Sequence, residues 1–113
     1  MSQTPISVFL ITLNEAATLD EVLSAVSQFD EIIVVDSGST DDTVSIARRH
    51  GAKVIHQPWL GFARQKAFAM QFCRNNWCFN IDGDEVVPDT LVEEIQYMAV
   101  SYTHLTLPTI YSV

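Results

Sequence analysis

Three apolar runs in this chain each stop at a carboxylate, and that recurrence restricts the fold more than any other feature. Ile6 to Leu13 ends at Asn14–Glu15, Glu31-Ile-Ile-Val-Val ends at Asp36, and Trp77 to Ile81 runs straight into Asp82-Gly83-Asp84-Glu85. Runs that are continuously apolar, rather than alternating, belong to strands buried on both faces, as in a parallel sheet.

Helical patterns fill the intervals. Thr18-Leu19-Asp20-Glu21 has the form of a capping box, with Leu19, Val22, Leu23 and Val26 following on one helical face. Ser37-Gly38-Ser39-Thr40 predicts a turn, with Ser39 or Thr40 capping a second helix. Asp41 and Asp42 stand in the first turn of that helix and Arg48, Arg49 and His50 in its last, matching the helix dipole, and Gly51 is its stop. Ala52 to His56 predicts a short third strand. Pro58 and Gly61 bracket a loop, and residues 62–74 read as a helix that is apolar nearly all round and mostly buried. After the fourth strand, Trp77 to Ile81, Pro88-Asp89 opens a last helix through about Val100. Four strands alternating with helices predict an α/β fold: a mostly parallel sheet flanked by helices.

Composition narrows the function. With 113 residues there is room for one domain, and 48% hydrophobic against 18% charged residues fits a globular chain. Six basic residues against fourteen acidic ones give a net charge of −8, which disfavours a nucleic-acid partner. Cys73 and Cys78 lie in apolar stretches without zinc-site spacing and read as buried thiols in a reducing cytosol. The N-terminus lacks a basic leader, and its apolar run is far shorter than the roughly 20 residues of a membrane span, so neither export nor a transmembrane segment is expected.

The last thirteen residues, SYTHLTLPTIYSV, change character, with three Thr and no charged residue apart from His104. Residues 101–113 therefore read as a foreign tail, such as a translated cloning or sequencing adapter, with an ordinary edge strand as the alternative.

The chemistry gathers where open α/β sheets place their ligands, outside the carboxyl ends of the strands. Glu15, Asp36, Asp82 and Asp84 would meet there. Like charges brought together repel, so a cation or a set of hydrogen-bond donors is expected beside them. Asp82-Gly83-Asp84 supplies hard oxygen ligands suited to Mg²⁺ or Mn²⁺, which keep waters and bridge to a diphosphate; the alternative is a solvated polar turn. Asp36 would accept from a base or a ribose hydroxyl, or instead cap the turn containing Ser37. Asn14 and Glu15 have the same two options, a nucleoside or the loop.

Residues 51–80 hold four of the six basic residues and no acidic one, a region suited to receiving a diphosphate. Arg64 and Lys66 lie about 200° apart around a helix, so only one can face the cleft, and Lys66 is the choice. Trp59 and Phe62 flank Gly61; stacking on a ligand is open to them, but closing the core is the expected role.

In order and spacing, VFLITLNEAATL, EIIVVDSGSTDDTVSIARRHGAKV and FNIDGDEVVPD resemble the start of the family 2 glycosyltransferases with the GT-A fold. The VVDSGSTDDT stretch followed by DGDE is most similar to bacterial lipopolysaccharide-core glucosyltransferases of the inverting type. The resemblance implies a Rossmann-like N-terminal half of that fold over residues 1–100, incomplete here. It further implies a nucleotide-diphosphate-sugar donor, with a UDP-sugar expected. The base would be held near Asn14, Glu15 and Asp36, Asp82 would approach the ribose or sugar, and Asp84 would be the principal metal ligand with Asp82 beside it; Ser37 and Lys66 join these as candidate donor-binding residues. The implied acceptor is a glycan or lipid-linked glycan, and the implied location cytoplasmic, with the intact parent peripheral at the inner membrane face. The family's catalytic base would lie beyond the end of this chain.

Other classes fit less well. A nucleotidyltransferase brings a Gly-rich basic loop after strand one, whereas ITLNEAAT has neither Gly nor Lys. An aspartyl-phosphate receiver needs an Asp where this strand ends in Asn14–Glu15. A nucleotide-sugar-binding but catalytically inert module remains open, and binding without transfer would distinguish it.

Overall fold

The computed structural model describes residues 4–101 and 109–112. Along the chain the elements are β1 (Thr4–Thr12), α1 (Ala16–Ser24), β2 (Phe29–Asp36), α2 (Thr43–Arg49), β3 (Lys53–His56), α3 (Phe62–Met70), β4 (Trp77–Asn80), α4 (Asp89–Ser101) and β5 (Thr109–Ser112). They form one sheet in the order β3-β2-β1-β4-β5, and every neighbouring pair is parallel. The sheet grows outward from β1 through β2 to β3, then the chain crosses back and lays β4 on the other side of β1. That reversal opens a crevice at the carboxyl ends of β1 and β4.

The period-two alternation of the central strands sorts the core into two layers. Val8 and Leu10 of β1, Val34 of β2 and Phe79 of β4 face one side, where Leu19, Val22 and Leu23 of α1, Ile46 of α2 and Val92 and Ile95 of α4 cover them. Phe29 meets Phe79 edge to face, with ring centroids 6.2 Å apart. Phe9, Ile33, Val35 and Cys78 face the other side, which α3 covers through Ala69. Cys73 and Cys78 are both free thiols, Cys78 buried and Cys73 half-buried.

Several local expectations change. Helix α1 starts at Ala16, without a side-chain cap from its own N-cap residue, and Thr18 is not its cap. The Thr18 hydroxyl instead donates to the carbonyl of Gly83 at 2.7 Å, and the Ala16 N–H donates to Asp41 at 3.2 Å. Donors and acceptors from other segments thus replace the capping box. Helix α2 starts at Thr43, and Ser39 is used elsewhere, while Gly51 ends the helix at φ 77° as expected. Helix α3 is shorter than expected and buries only Gln65 and Ala69; Phe62 is 73% exposed. Apolar residues on every side of a helix outnumber what one sheet face can cover.

The sheet also has a fifth strand. Thr109–Ser112 pairs with Trp77–Asn80, so that part of the suspected foreign tail takes the edge-strand conformation that was its alternative. Residues 102–108 and 113 lie outside the described residues. Such pairing is conformational and independent of origin, because an open sheet edge templates any extended apolar segment.

Phe79 joins β4 to Phe29 and is 1% exposed. Phe79→Ala should lower the unfolding free energy by about 3–5 kcal/mol, measured by urea denaturation.

Candidate functional site

The first anchor of the site is the carboxylate of Asp36. Asp36 lies opposite Thr12 in the β1–β2 register and is 2% exposed. Its Oδ1 accepts from Thr12 Oγ1 at 2.8 Å and from Ser39 Oγ at 2.5 Å; its Oδ2 accepts from the N–H groups of Gly38 at 3.0 Å and Ser39 at 2.7 Å. Those donors fill the roughly four lone-pair sites of a carboxylate. Burial pushes the carboxyl up, but the hydrogen bonds from Ser39, Thr12 and Gly38 outweigh it and hold Asp36 below the usual range. The structure thus gives Asp36 the turn-capping role and places it behind the cleft wall, with Ser37 in front of it.

Asn14 is also spent locally. It sits at φ 54°, a left-handed conformation that Asn tolerates, and its Oδ1 accepts from the N–H of Thr40 at 2.9 Å. Its own N–H donates to Ser39 Oγ at 2.8 Å, and the N–H of Glu15 donates to Thr43 Oγ1 at 2.8 Å. The hydroxyl of Thr43 donates in turn to Asp41. The end of β1 is thereby tied to the β2–α2 loop, and the Glu15 side chain is left to face the crevice.

That crevice has two halves. The polar half, about 310 Å³, is lined by Glu15, Lys66, Asn80, Asp82 and Asp84, together with Ile11, Phe62, Ile81 and Gly83. The apolar half, about 440 Å³, is lined by Thr12, Leu13, Ser37 and Trp59, together with Ile11, Glu15 and Phe62. Ile11, Glu15 and Phe62 border both, so the halves adjoin. Glu15, Lys66, Asp82 and Asp84 are therefore brought together, Ser37 lines the apolar side, and Asn14 and Asp36 line neither half.

The turn carrying the two aspartates is held closely. Thr18 binds the Gly83 carbonyl, and a Cβ on Gly83 would come within 3.0 Å of Glu15 Cγ, so a glycine lets the turn lie against Glu15. Burial, then the charges of Asp84, Asp41 and Asp82, push the Glu15 carboxyl above its usual value. Among the described residues no cluster of three or more His, Cys, Asp or Glu side chains forms a cation cage. A donor set of two exposed carboxylates still fits Mg²⁺ or Mn²⁺, which take one or two protein carboxylates and complete their shell with water and phosphate oxygens.

Of the four basic residues between 51 and 80, Lys66 lines the cleft. Lys53 stands over the Phe72 ring at 5.2 Å, Arg74 pairs with Asp30 at 3.0 Å, and Arg64 is exposed outside both halves. The broad basic patch is thus reduced to one ammonium group. Trp59 and Phe62 do not close the core: they are 51% and 73% exposed and meet edge to face at 4.8 Å. Sequence reasoning missed Gln65, fully buried on the same helix as Phe62, whose signal was a lone amide at helical spacing from Ala69.

The two carboxylates respond to pH in opposite senses. Asp36 has a depressed folded value, so its stabilisation is present above the unfolded carboxylate value and is lost as pH falls through the folded one. Asp36→Asn should cost about 2 kcal/mol at pH 7 by urea denaturation and less in acid. Glu15 has a raised folded value, so its contribution is most favourable at low pH and declines as pH climbs through that value. Glu15→Gln should melt above the wild type at pH 7 in metal-free buffer, with the gap closing towards pH 4, read by calorimetry.

Comparisons with known proteins place the chain in a family. The family model for glycosyl transferase family 2 matches residues 7–113. An uncharacterized glycosyltransferase of Rickettsia felis is 52% identical over 98 residues, covering 86% of this chain and 35% of that protein. The lipopolysaccharide core biosynthesis glycosyltransferase LpsC of Rhizobium meliloti is 40% identical over 94 residues, covering 79% of this chain and 35% of that protein. The chain thus spans about a third of the length of these relatives. Glucosyl-3-phosphoglycerate synthase from Mycobacterium tuberculosis, solved with Mn²⁺, UDP and glucosyl-3-phosphoglycerate, superimposes with a TM-score of 0.65 at 34% identity, covering 76% of this chain and 36% of that one. The same enzyme has been solved with Mg²⁺ and UDP. With its parallel α/β sheet arranged as in the GT-A glycosyltransferases, this chain belongs to glycosyl transferase family 2.

Proposed function

We propose that this chain is the donor-binding part of an inverting, metal-dependent glycosyltransferase that takes a nucleotide-diphosphate sugar, specifically a UDP-sugar. The observation that carries the reading is the two-part crevice, in which an apolar half with hydroxyls on its wall adjoins a polar half with one lysine and two turn aspartates. A nucleoside diphosphate has the same division, a flat ring and ribose joined to a charged tail. The mycobacterial enzyme that is similar in structure binds UDP together with Mn²⁺.

In this reading Asp84 and Asp82 hold Mg²⁺ or Mn²⁺, which when bound neutralises charge on the leaving diphosphate. Lys66 faces the same diphosphate, Ser37 and Glu15 border the nucleoside, and Asp36 and Asn14 fix the loop that presents Ser37. The likeness to LpsC supports a lipopolysaccharide-core or other glycan acceptor, and the proposal takes that acceptor to be lipid-linked at the cytoplasmic face of the membrane. The change of composition at residue 101 supports a domain that runs to residue 100 with a foreign tail after it.

A donor-binding chain that transfers nothing by itself is the second reading. Among the described residues the acids lining the crevice are Asp82 and Asp84, which this reading gives to the metal, and Glu15, which it gives to the donor between the two halves, so none is assigned to deprotonate an acceptor.

Calorimetric titration with UDP and UDP-glucose, each with Mn²⁺ and with excess EDTA, tests the proposal. Binding should require Mn²⁺, and Asp84→Ala should weaken it at least about 10-fold, since losing even an outer partner of a metal site costs that much. Equal affinity in Asp84→Ala and wild type would remove the metal assignment.

A further inference from the structure

Trp59 and Phe62 form an exposed aromatic corner that the fold does not use for its core. Aromatic side chains left half or more in water lose the burial that normally accounts for them, so their placement needs another cause. Gln65 anchors the loop that carries Trp59. It is fully buried, and its Oε1 accepts from the N–H of Leu60 at 3.0 Å while its Nε2 donates to the Gln57 carbonyl at 3.0 Å and to Ser37 Oγ at 3.2 Å. One amide thus fastens the loop carrying Trp59 at both ends and ties it to the turn after β2. Because Ser37 Oγ accepts from Gln65, its hydroxyl proton is left for an acceptor on a ligand.

We propose that the Trp59–Phe62 corner is the surface on which the planar base of the donor stacks, and that Gln65 is the positioning residue that holds this surface and Ser37 in place before the donor arrives. The inference rests on the donor-site reading above and goes beyond it by assigning base recognition to two aromatic rings and one buried amide. The occupant is argued from continuity. Phe62 borders both the apolar cavity and the polar half holding Lys66, Asp82 and Asp84, so a ring against the aromatic corner would have its phosphates directed to the charged side. A uracil-like ring also presents carbonyls to which Ser37 can donate, so a flat polar base fits this wall better than an aliphatic chain does.

The test separates base from phosphate. Trp59 emission is followed while the full chain is titrated in Mn²⁺ with UDP and, separately, with inorganic pyrophosphate; Trp77 is 9% exposed and contributes a constant background. UDP should quench Trp59 and pyrophosphate should not. Trp59→Leu, a change at an exposed position, should weaken UDP binding roughly 10-fold, as loss of one stacking partner does, and leave pyrophosphate binding unchanged. Gln65→Met should weaken UDP and reduce the quench at saturation while pyrophosphate affinity holds, whereas a purely structural role would lower both affinities together. UDP binding that neither quenches Trp59 nor responds to Trp59→Leu would overturn the stacking assignment and leave the donor site standing. Absence of binding by both UDP and pyrophosphate would overturn the donor site and the stacking with it.

Discussion

The hydrogen bonds converging on Asp36 are the interaction on which the site depends. A buried carboxylate is costly unless its lone pairs are filled, and here Thr12, Gly38 and Ser39 fill them. The same bonds join the end of β1 to the turn after β2, so desolvating the charge and closing the turn are one event. Asn14 and Thr43 extend the lattice, the first accepting from Thr40 and the second from Glu15. The loops at this edge are thereby fixed by polar contacts, in a place where the apolar core has already ended.

Beyond that lattice the crevice gathers three carboxylates, Glu15, Asp82 and Asp84, against one ammonium group, Lys66. Glu15 lies against the Asp82-Gly83-Asp84 turn, which Thr18 draws onto α1, and its proton is held more tightly because of burial first and the neighbouring acids second. A fold optimised for stability alone would separate such groups. Holding them together makes sense where a divalent cation and a diphosphate complete the charge balance, with Lys66 on the same wall. Beside it, Gln65 ties the loop carrying Trp59 to the turn after β2, and Trp59 and Phe62 meet edge to face while facing water.

Much of this was legible in the sequence because strands buried on both faces leave a pattern that survives without tertiary information. Ile6 to Leu13, Glu31 to Asp36 and Trp77 to Ile81 were readable as parallel strands, and the acids after them as a convergent set, since the sheet geometry brings carboxyl ends to one edge. The capping of α1 was not readable. Its donors and acceptors come from Asp41 and Gly83, 25 and 65 residues from the groups they meet, and a local motif cannot report partners at that distance. Helix α3 was overestimated for a related reason: composition gives the number of apolar residues, while the area of sheet beneath fixes how many are covered.

By itself, then, the sequence determined the α/β alternation and the parallel sheet, because continuous apolar runs and their polar ends are set by local composition, while the family was legible from the resemblance of its motifs. The tertiary structure alone decided which acids face the crevice and which are consumed behind it. Asp36 and Asp84 are equivalent as residues. One is enclosed by four hydrogen-bond donors and the other left exposed on a glycine turn, and only the packing of β1, the β2–α2 loop and α1 against one another distinguishes them.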